Sequence, residues 1–172
     1  VMGILLTMPT SSAAIWIAIA SGSTSDAMML AGGAAVVGCA AQMVGFAVMS
    51  FKENGVGGLI SQGIGTSMLQ IPNIMKHPLI FVPPIIASAI VGPIATCVFK
   101  LRCTAGGGGM GTSGLVGVFG AVEASKGVVS DANIALGIVF LMFVIPAVVS
   151  LLFRILFEKK GWIKGEWMKL DV

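Results

Sequence analysis

Apolar residues run almost unbroken through three stretches of the chain, and polar residues collect between them. Asp26 to Phe51 reads "DAMMLAGGAAVVGCAAQMVGFAVMSF", Leu79 to Leu101 reads "LIFVPPIIASAIVGPIATCVFKL", and Ile134 to Phe157 reads "IALGIVFLMFVIPAVVSLLFRILF". Each is long enough for the roughly 20 apolar residues that carry a helix across hydrocarbon. Val1 to Ala20 is a fourth such stretch, shorter and broken by Pro9. The pattern predicts membrane spans over 1–20, 26–51, 79–101 and 134–157, the second opened by the capping-type run "SGSTS". Pro83, Pro84 and Pro93 each remove a backbone donor, so that span is expected to kink and to repack its carbonyls against neighbours. Gly32, Gly33, Ala34, Gly38 and Ala41 form a small-residue face suited to close helix contact.

Two intervening stretches fit neither a firm helix nor a watery loop. They are Gly55 to Asn73, "GVGGLISQGIGTSMLQIPN", and Cys103 to Lys126, "CTAGGGGMGTSGLVGVFGAVEASK". Irregular backbone at membrane depth survives only when buried in protein or lining a wet cavity, so both are expected to be re-entrant hairpins or broken helices. Each carries the frame G-x-G-T-S-x-L, as "GIGTSML" from Gly63 and "GMGTSGL" from Gly109, 46 residues apart. The fold class expected is all-α: a polytopic membrane helix bundle with broken helices and two re-entrant hairpins.

Composition agrees. Of 172 residues, 56% are hydrophobic and 10% charged, with a mean hydropathy of +1.02. A soluble domain needs about 25% charge to wet its surface. The net charge of +3 is too small and scattered for a nucleic-acid partner. Cys39, Cys97 and Cys103 lack metal or redox spacing, and with one histidine no metal cage is expected. No Ser-His-acid set or phosphate-binding GxxxxGK[ST] loop is legible, so neither a catalytic residue nor a cofactor is expected.

From 158 to 172 the character changes to "EKKGWIKGEWMKLDV". Ile163, Trp167 and Leu170 recur at helical spacing, while Lys159, Lys160, Lys164 and Lys169 supply a wet side. This predicts a basic amphipathic segment at the headgroups, held on the cytoplasmic side by its lysines.

The repeated frame carries the candidate chemistry. Its glycines let a ligand touch the main chain, and the Thr-Ser pair can cap a short helix. The unpaired N–H groups of such a start can face a polar substrate near the bilayer midplane, as in transporters with broken helices. Capping two packed helices is the other use of the same residues. Gln70 and Asn73, just after the first frame, have amides that could bond paired sugar hydroxyls. Glu123, after the second, is either a site carboxylate or a surface partner of Lys126. The candidate substrate-binding set is therefore Gly65, Thr66, Ser67, Gln70, Asn73, Gly111, Thr112, Ser113 and Glu123. Gln42 is expected to bond across helices, Asp26 to stabilise a helix start, and His77 to sit in a loop.

"GTSMLQIPNIMKHP", "FVPPIIASAIVGPIATCVFK" and "GGGGMGTSGLVG" together resemble the membrane-permease family related to phosphotransferase-system enzyme IIC, in the branch labelled as IIC-like sugar transporters or membrane toxin regulators. The resemblance runs from the first span to the last. Family members are about twice this length, which implies that residues 1–157 are the permease domain of a carboxy-terminal half, with the amino-terminal half as a partner. It further implies a multi-pass protein of the bacterial plasma membrane, a homodimer, a sugar or small polar solute as substrate, and separate IIA and IIB phosphocarrier proteins for any phosphotransferase activity. In sugar permeases of this superfamily a Glu-Pro pair in a re-entrant hairpin binds the sugar and assists its phosphorylation. No such pair stands in "GIGTSMLQIPN", which leaves polar binding by Thr66, Ser67, Gln70 and Asn73. The alternative is a membrane sensor that regulates virulence or toxin expression and binds a ligand without carrying it.

Overall fold

The computed structural model describes residues 1–23 and 25–170. The expected capping run and the terminal segment thus extend outside the described residues, at Thr24 and at 171–172. Among the described residues the fold is all-α, with no strand. The helices in chain order are α1 (Met2–Thr7), α2 (Ser12–Ala20), α3 (Asp26–Met49), α4 (Phe51–Ile60), α5 (Ile71–Lys76), α6 (Val82–Cys97), α7 (Val116–Ser125), α8 (Asp131–Gly137) and α9 (Ile145–Lys159). Three helical stretches are long and apolar enough to cross a membrane: Asp26–Met49, Pro78–Cys97 and Asp131–Lys159.

Local sequence accounts for the breaks. Pro9 divides the first twenty residues into α1 and α2, neither long enough to span, and Ser11 caps α2 by accepting from the Ala14 N–H. Ser25 caps α3 in the same way through Met28, while Asp26 in the first turn pairs with Arg102. Pro146 lacks an N–H and its ring crowds the carbonyl four residues back, at Met142. The chain meets this by widening into a π-helical turn over Ile138–Val144, which joins α8 to α9 without ending the span.

α3 is the hub. It packs against α1, α6, α9 and both glycine-rich frames, and Val36 through Met43 are fully or almost fully buried. Val36, Val37, Ala40 and Ala41 meet Ala87, Val91 and Ala95 of α6 together with Leu141 and Met142. Its small residues permit this crowding. A Cβ on Gly33 would run into the Leu101 carbonyl, and the Cys103 N–H donates to Met29 O at 3.0 Å, so the chain after α6 lies directly on α3. Gln42 donates to Ser88 Oγ at 3.2 Å, linking α3 to α6 in mid-bundle.

Each end of the bundle is tied by an arginine. At one, Arg102 forks onto Asp26 through contacts of 2.6 and 3.0 Å. At the other, Arg154 on α9 takes both oxygens of Glu53 at 2.6 and 3.1 Å and one of Glu158 at 2.9 Å. Arg154 and Glu53 are largely out of solvent, with side chains 5% and 14% exposed.

The terminal segment differs from the amphipathic helix expected of it. Gly161 takes a left-handed conformation (φ 71°), ends α9 and turns the chain back over the bundle. The segment has a single 3₁₀ turn, Gly165–Met168. Ile163 and Met168 are buried with Phe46, Met49, Ile74, Ile80 and Phe157, and Trp167 stacks on His77 with ring centroids 3.8 Å apart and planes 6° from parallel. Gly165 lies against Glu53, Arg154 and Glu158, where a side chain would collide with the ion triad.

Removing the shared cation leaves two carboxylates facing each other in a mostly dry site. Arg154→Met should therefore destabilise the fold by about 3–5 kcal/mol, read as a lower thermal aggregation midpoint in detergent, and Arg154→Lys, which loses the planar fork, should fall between.

Candidate functional site

The first frame is built from successive helix distortions. α4 passes a break at Gly55 (φ 59°, ψ −155°), and the chain then widens into a π-helical turn over Ser61–Gly65. Thr66 is extended and caps a 3₁₀ turn, Ser67–Gln70, by accepting from the Met68 N–H at 3.1 Å. α5 follows, with Pro72 in its first turn. The second frame reaches the same place by another route. Turns carry the chain from Thr104 to Gly111, whose positive φ (57°) seats its backbone against Cys39 and Ala40 of α3. Left-handed Gly114 and Leu115 then start α7.

Each frame has one side against α3 and the other exposed, at Gly65 and Met68 in the first and at Gly114 and Leu115 in the second. Gly111 lies against Cys39 and Ala40, and Gly63 lies beside Ala47. Cys39 is about 20 Å along α3 from Asp26, at 1.5 Å per residue.

The frames meet by direct hydrogen bonds. Thr112 Oγ1 donates to Gly63 O at 2.5 Å, and Ser113 Oγ donates to Gly65 O at 2.9 Å. Ser67 is fully buried and shares a 2.8 Å hydroxyl–hydroxyl bond with Thr7 of α1. The hydroxyls of Thr112 and Ser113 thus answer the carbonyls of Gly63 and Gly65 in the distorted turn of the first frame, while Ser67 turns to α1 and Gly111 to α3.

The other candidates are placed differently. Gln70 is buried and donates to Gln62 Oε1 and Met168 O, and Asn73 donates to Gln70 Oε1 and Lys169 O. Both amides hold the terminal segment. Glu123 is exposed on α7 and makes no ion pair among the described residues.

A cavity of about 430 Å³ lies beside the first frame, lined by Glu53, Asn54, Gly57, Gly58, Ser61, Leu69, Lys169 and Leu170. Leu69 is the frame's own last residue. Glu53, Asn54, Gln62 and Arg154 were not among the residues the sequence singled out. The available signal was Arg154 itself, an ionisable residue inside an apolar span that calls for a buried partner. A second cavity of about 570 Å³ is apolar and lies between α1, α2, α3 and α6, bordered by Gly3, Trp16, Ala34, Gly38, Ser88 and Thr96. Among the described residues no cluster of side chains forms a metal site.

Thr112→Val keeps the shape of the side chain but strips Gly63 O of its donor in a buried place. The expected loss is about 1–3 kcal/mol, measured by thermal denaturation in detergent. Ser113→Ala, at a more exposed bond, should lose less.

Comparison with curated proteins and with solved structures finds no match. A family model described as "Phosphotransferase system, EIIC" matches residues 1–170, nearly the whole chain. Together with the three helices long and apolar enough to cross a membrane, this places the chain in the EIIC family, the membrane permeases of the sugar phosphotransferase system.

Proposed function

We propose that the protein binds and translocates a sugar or related polar solute in the bacterial plasma membrane, with the substrate passing between the two glycine-rich frames. The observation that carries this reading is the pair of bonds from Thr112 and Ser113 to Gly63 O and Gly65 O. A hydroxyl–carbonyl bond is the interaction a sugar hydroxyl can replace without leaving either group unsatisfied. The frames in contact are then the closed arrangement, and substrate hydroxyls substitute for the Thr112 and Ser113 hydroxyls when the frames part. No Glu-Pro pair stands in "GIGTSMLQIPN", where the resemblance would put one, so the binding proposed here is by neutral groups. Phosphorylation, where it occurs, depends on separate IIA and IIB proteins. The exposed apolar faces of the Pro78–Cys97 and Asp131–Lys159 spans, where 33% of an apolar 18-residue stretch of each is buried, support contact with lipid and with the rest of the permease.

The orientation proposed puts the terminal segment in the cytoplasm. Lys52, Lys76, Lys159, Lys160, Lys164 and Lys169 are all exposed, on the elements around Glu53 and the terminal segment. Lys100 and Lys126 are the exposed lysines on the elements around Arg102. That asymmetry follows the positive-inside bias.

Uptake of radiolabelled sugar should be abolished by Thr66→Val combined with Ser67→Ala, while membrane insertion and detergent-extracted folding persist. Uptake at the unsubstituted rate would remove the site. A green fluorescent protein fused after Val172 should fluoresce, since it matures only on the cytoplasmic side; a dark fusion with an active periplasmic reporter in its place would reverse the topology.

A further inference from the structure

The terminal segment is held by more directed contacts than a surface anchor requires. Asn54 Nδ2 and Gln70 Nε2 both donate to Met168 O, at 2.8 and 3.0 Å, and Asn73 Nδ2 donates to Lys169 O at 2.9 Å. Asn54 Oδ1 accepts from the Leu170 N–H at 2.8 Å. Trp167 adds its stack on His77. Three side-chain amides thus converge on two consecutive peptide carbonyls. An amide presents donors and an acceptor of the kind that reads hydroxyls. Gln62, which accepts from Gln70, also donates to Ser50 Oγ at 2.7 Å, so the network continues into the π-helical turn of the first frame.

The same contacts wall a cavity. Lys169 and Leu170 close one side of the 430 Å³ space whose other walls are Glu53, Asn54, Gly57, Gly58, Ser61 and Leu69. That volume lies in the range of small-molecule sites, about 300–1,000 Å³. Its polar groups are the Asn54 amide, the Ser61 hydroxyl, a Glu53 carboxylate paired with Arg154, and Lys169 on the segment itself, so the walls that stay when the segment moves suit an uncharged polar solute.

The geometry points to the segment 163–170 as a lid over this cavity, its carbonyls occupying the amides of Asn54, Gln70 and Asn73 that a polyhydroxylated solute takes when the lid lifts. This rests on the permease reading and adds to it a vestibule beside the first frame, with a latch. Because Gln70 joins lid to frame through Gln62, lifting the lid frees one end of the hydrogen-bond chain that steadies the π-helical turn. Vestibule and frame contact are thereby coupled.

The test is a labelling rate on the full-length membrane protein in vesicles. Cys97, the exposed native thiol, is replaced by serine, Cys39 and Cys103 are left buried, and Ser61→Cys reports on the cavity. With the lid in place, a water-soluble maleimide should react slowly. Asn73→Ala and Trp167→Ala each remove one hold and should speed labelling about tenfold, the factor matching loss of one good contact. His77→Phe keeps a flat ring under Trp167 and should label at the slow rate. Fast labelling with the lid residues intact, or equal rates in all variants that remain monodisperse, would overturn the lid. Glucose, mannitol and N-acetylglucosamine are then tried in turn as protectants of the Trp167→Ala form, which keeps all three amides. Protection by at least one is expected, and protection by none would overturn the solute assignment. Labelling needs no transport, so its failure and a failure of the uptake experiment are separately readable.

Discussion

The constraint on which the structure depends is the satisfaction of backbone carbonyls where helices break inside the bundle. A π-helical turn or a left-handed glycine at depth leaves groups that water cannot reach, each of which carries a desolvation penalty of about 1–3 kcal/mol. Here the two breaks are brought together so that one supplies donors for the other. Thr112 and Ser113 reach Gly63 O and Gly65 O, and Thr7 reaches Ser67. Neither frame needs to be a good helix, because the pair is closed as a unit. In the permease reading its hydroxyls also make it reversible. A hydroxyl–carbonyl bond can be exchanged for a similar one, whereas an apolar seal could only be opened at the expense of exposing both faces.

That exchange is useful only if the scaffold around it stays rigid. α3 provides the rigidity through its small residues, which let the chain after α6, the second frame and α1 lie against its backbone with little side chain between. The arginines then clamp the ends, Arg102 to Asp26 and Arg154 to Glu53 and Glu158. Burying the second cluster gives little net stability but strong geometric restriction, since a displaced partner leaves a charge unpaired. The bundle is stiff at α3 and its ends, and distorted where the frames meet.

Much of this was legible in one sequence. The apolar runs located all three spanning helices, because length and hydropathy are local properties. The glycine-rich frames marked where helices would break, since glycine followed by threonine and serine favours caps over continuation. Partner choice at long range was not legible. Gln70 and Asn73 sit beside the first frame, yet their amides turn to carbonyls 96 to 98 residues away. The terminal segment carried a helical spacing of Ile163, Trp167 and Leu170, but Gly161 and Gly165 make a helix there weak, and the docking of Met168 and Ile163 into the core outweighs the periodicity. Arg154 is visible in the sequence as an arginine in an apolar run, which has to find an acid, but which acid is set by the fold, with Glu53 one of those at that end of the bundle.

The absence of a Glu-Pro pair at the first frame acquires a physical meaning from this arrangement. A carboxylate at Ser67 would replace a fully buried hydroxyl that bonds Thr7 and would carry the desolvation penalty of a buried charge. The acid of this region stands at Glu53 instead, one wall of the neighbouring cavity, where Arg154 neutralises it. Neutral groups close the frames and a compensated charge lines the vestibule. In the permease reading that division suits an uncharged polar solute, since the Glu53 carboxylate is already paired with Arg154.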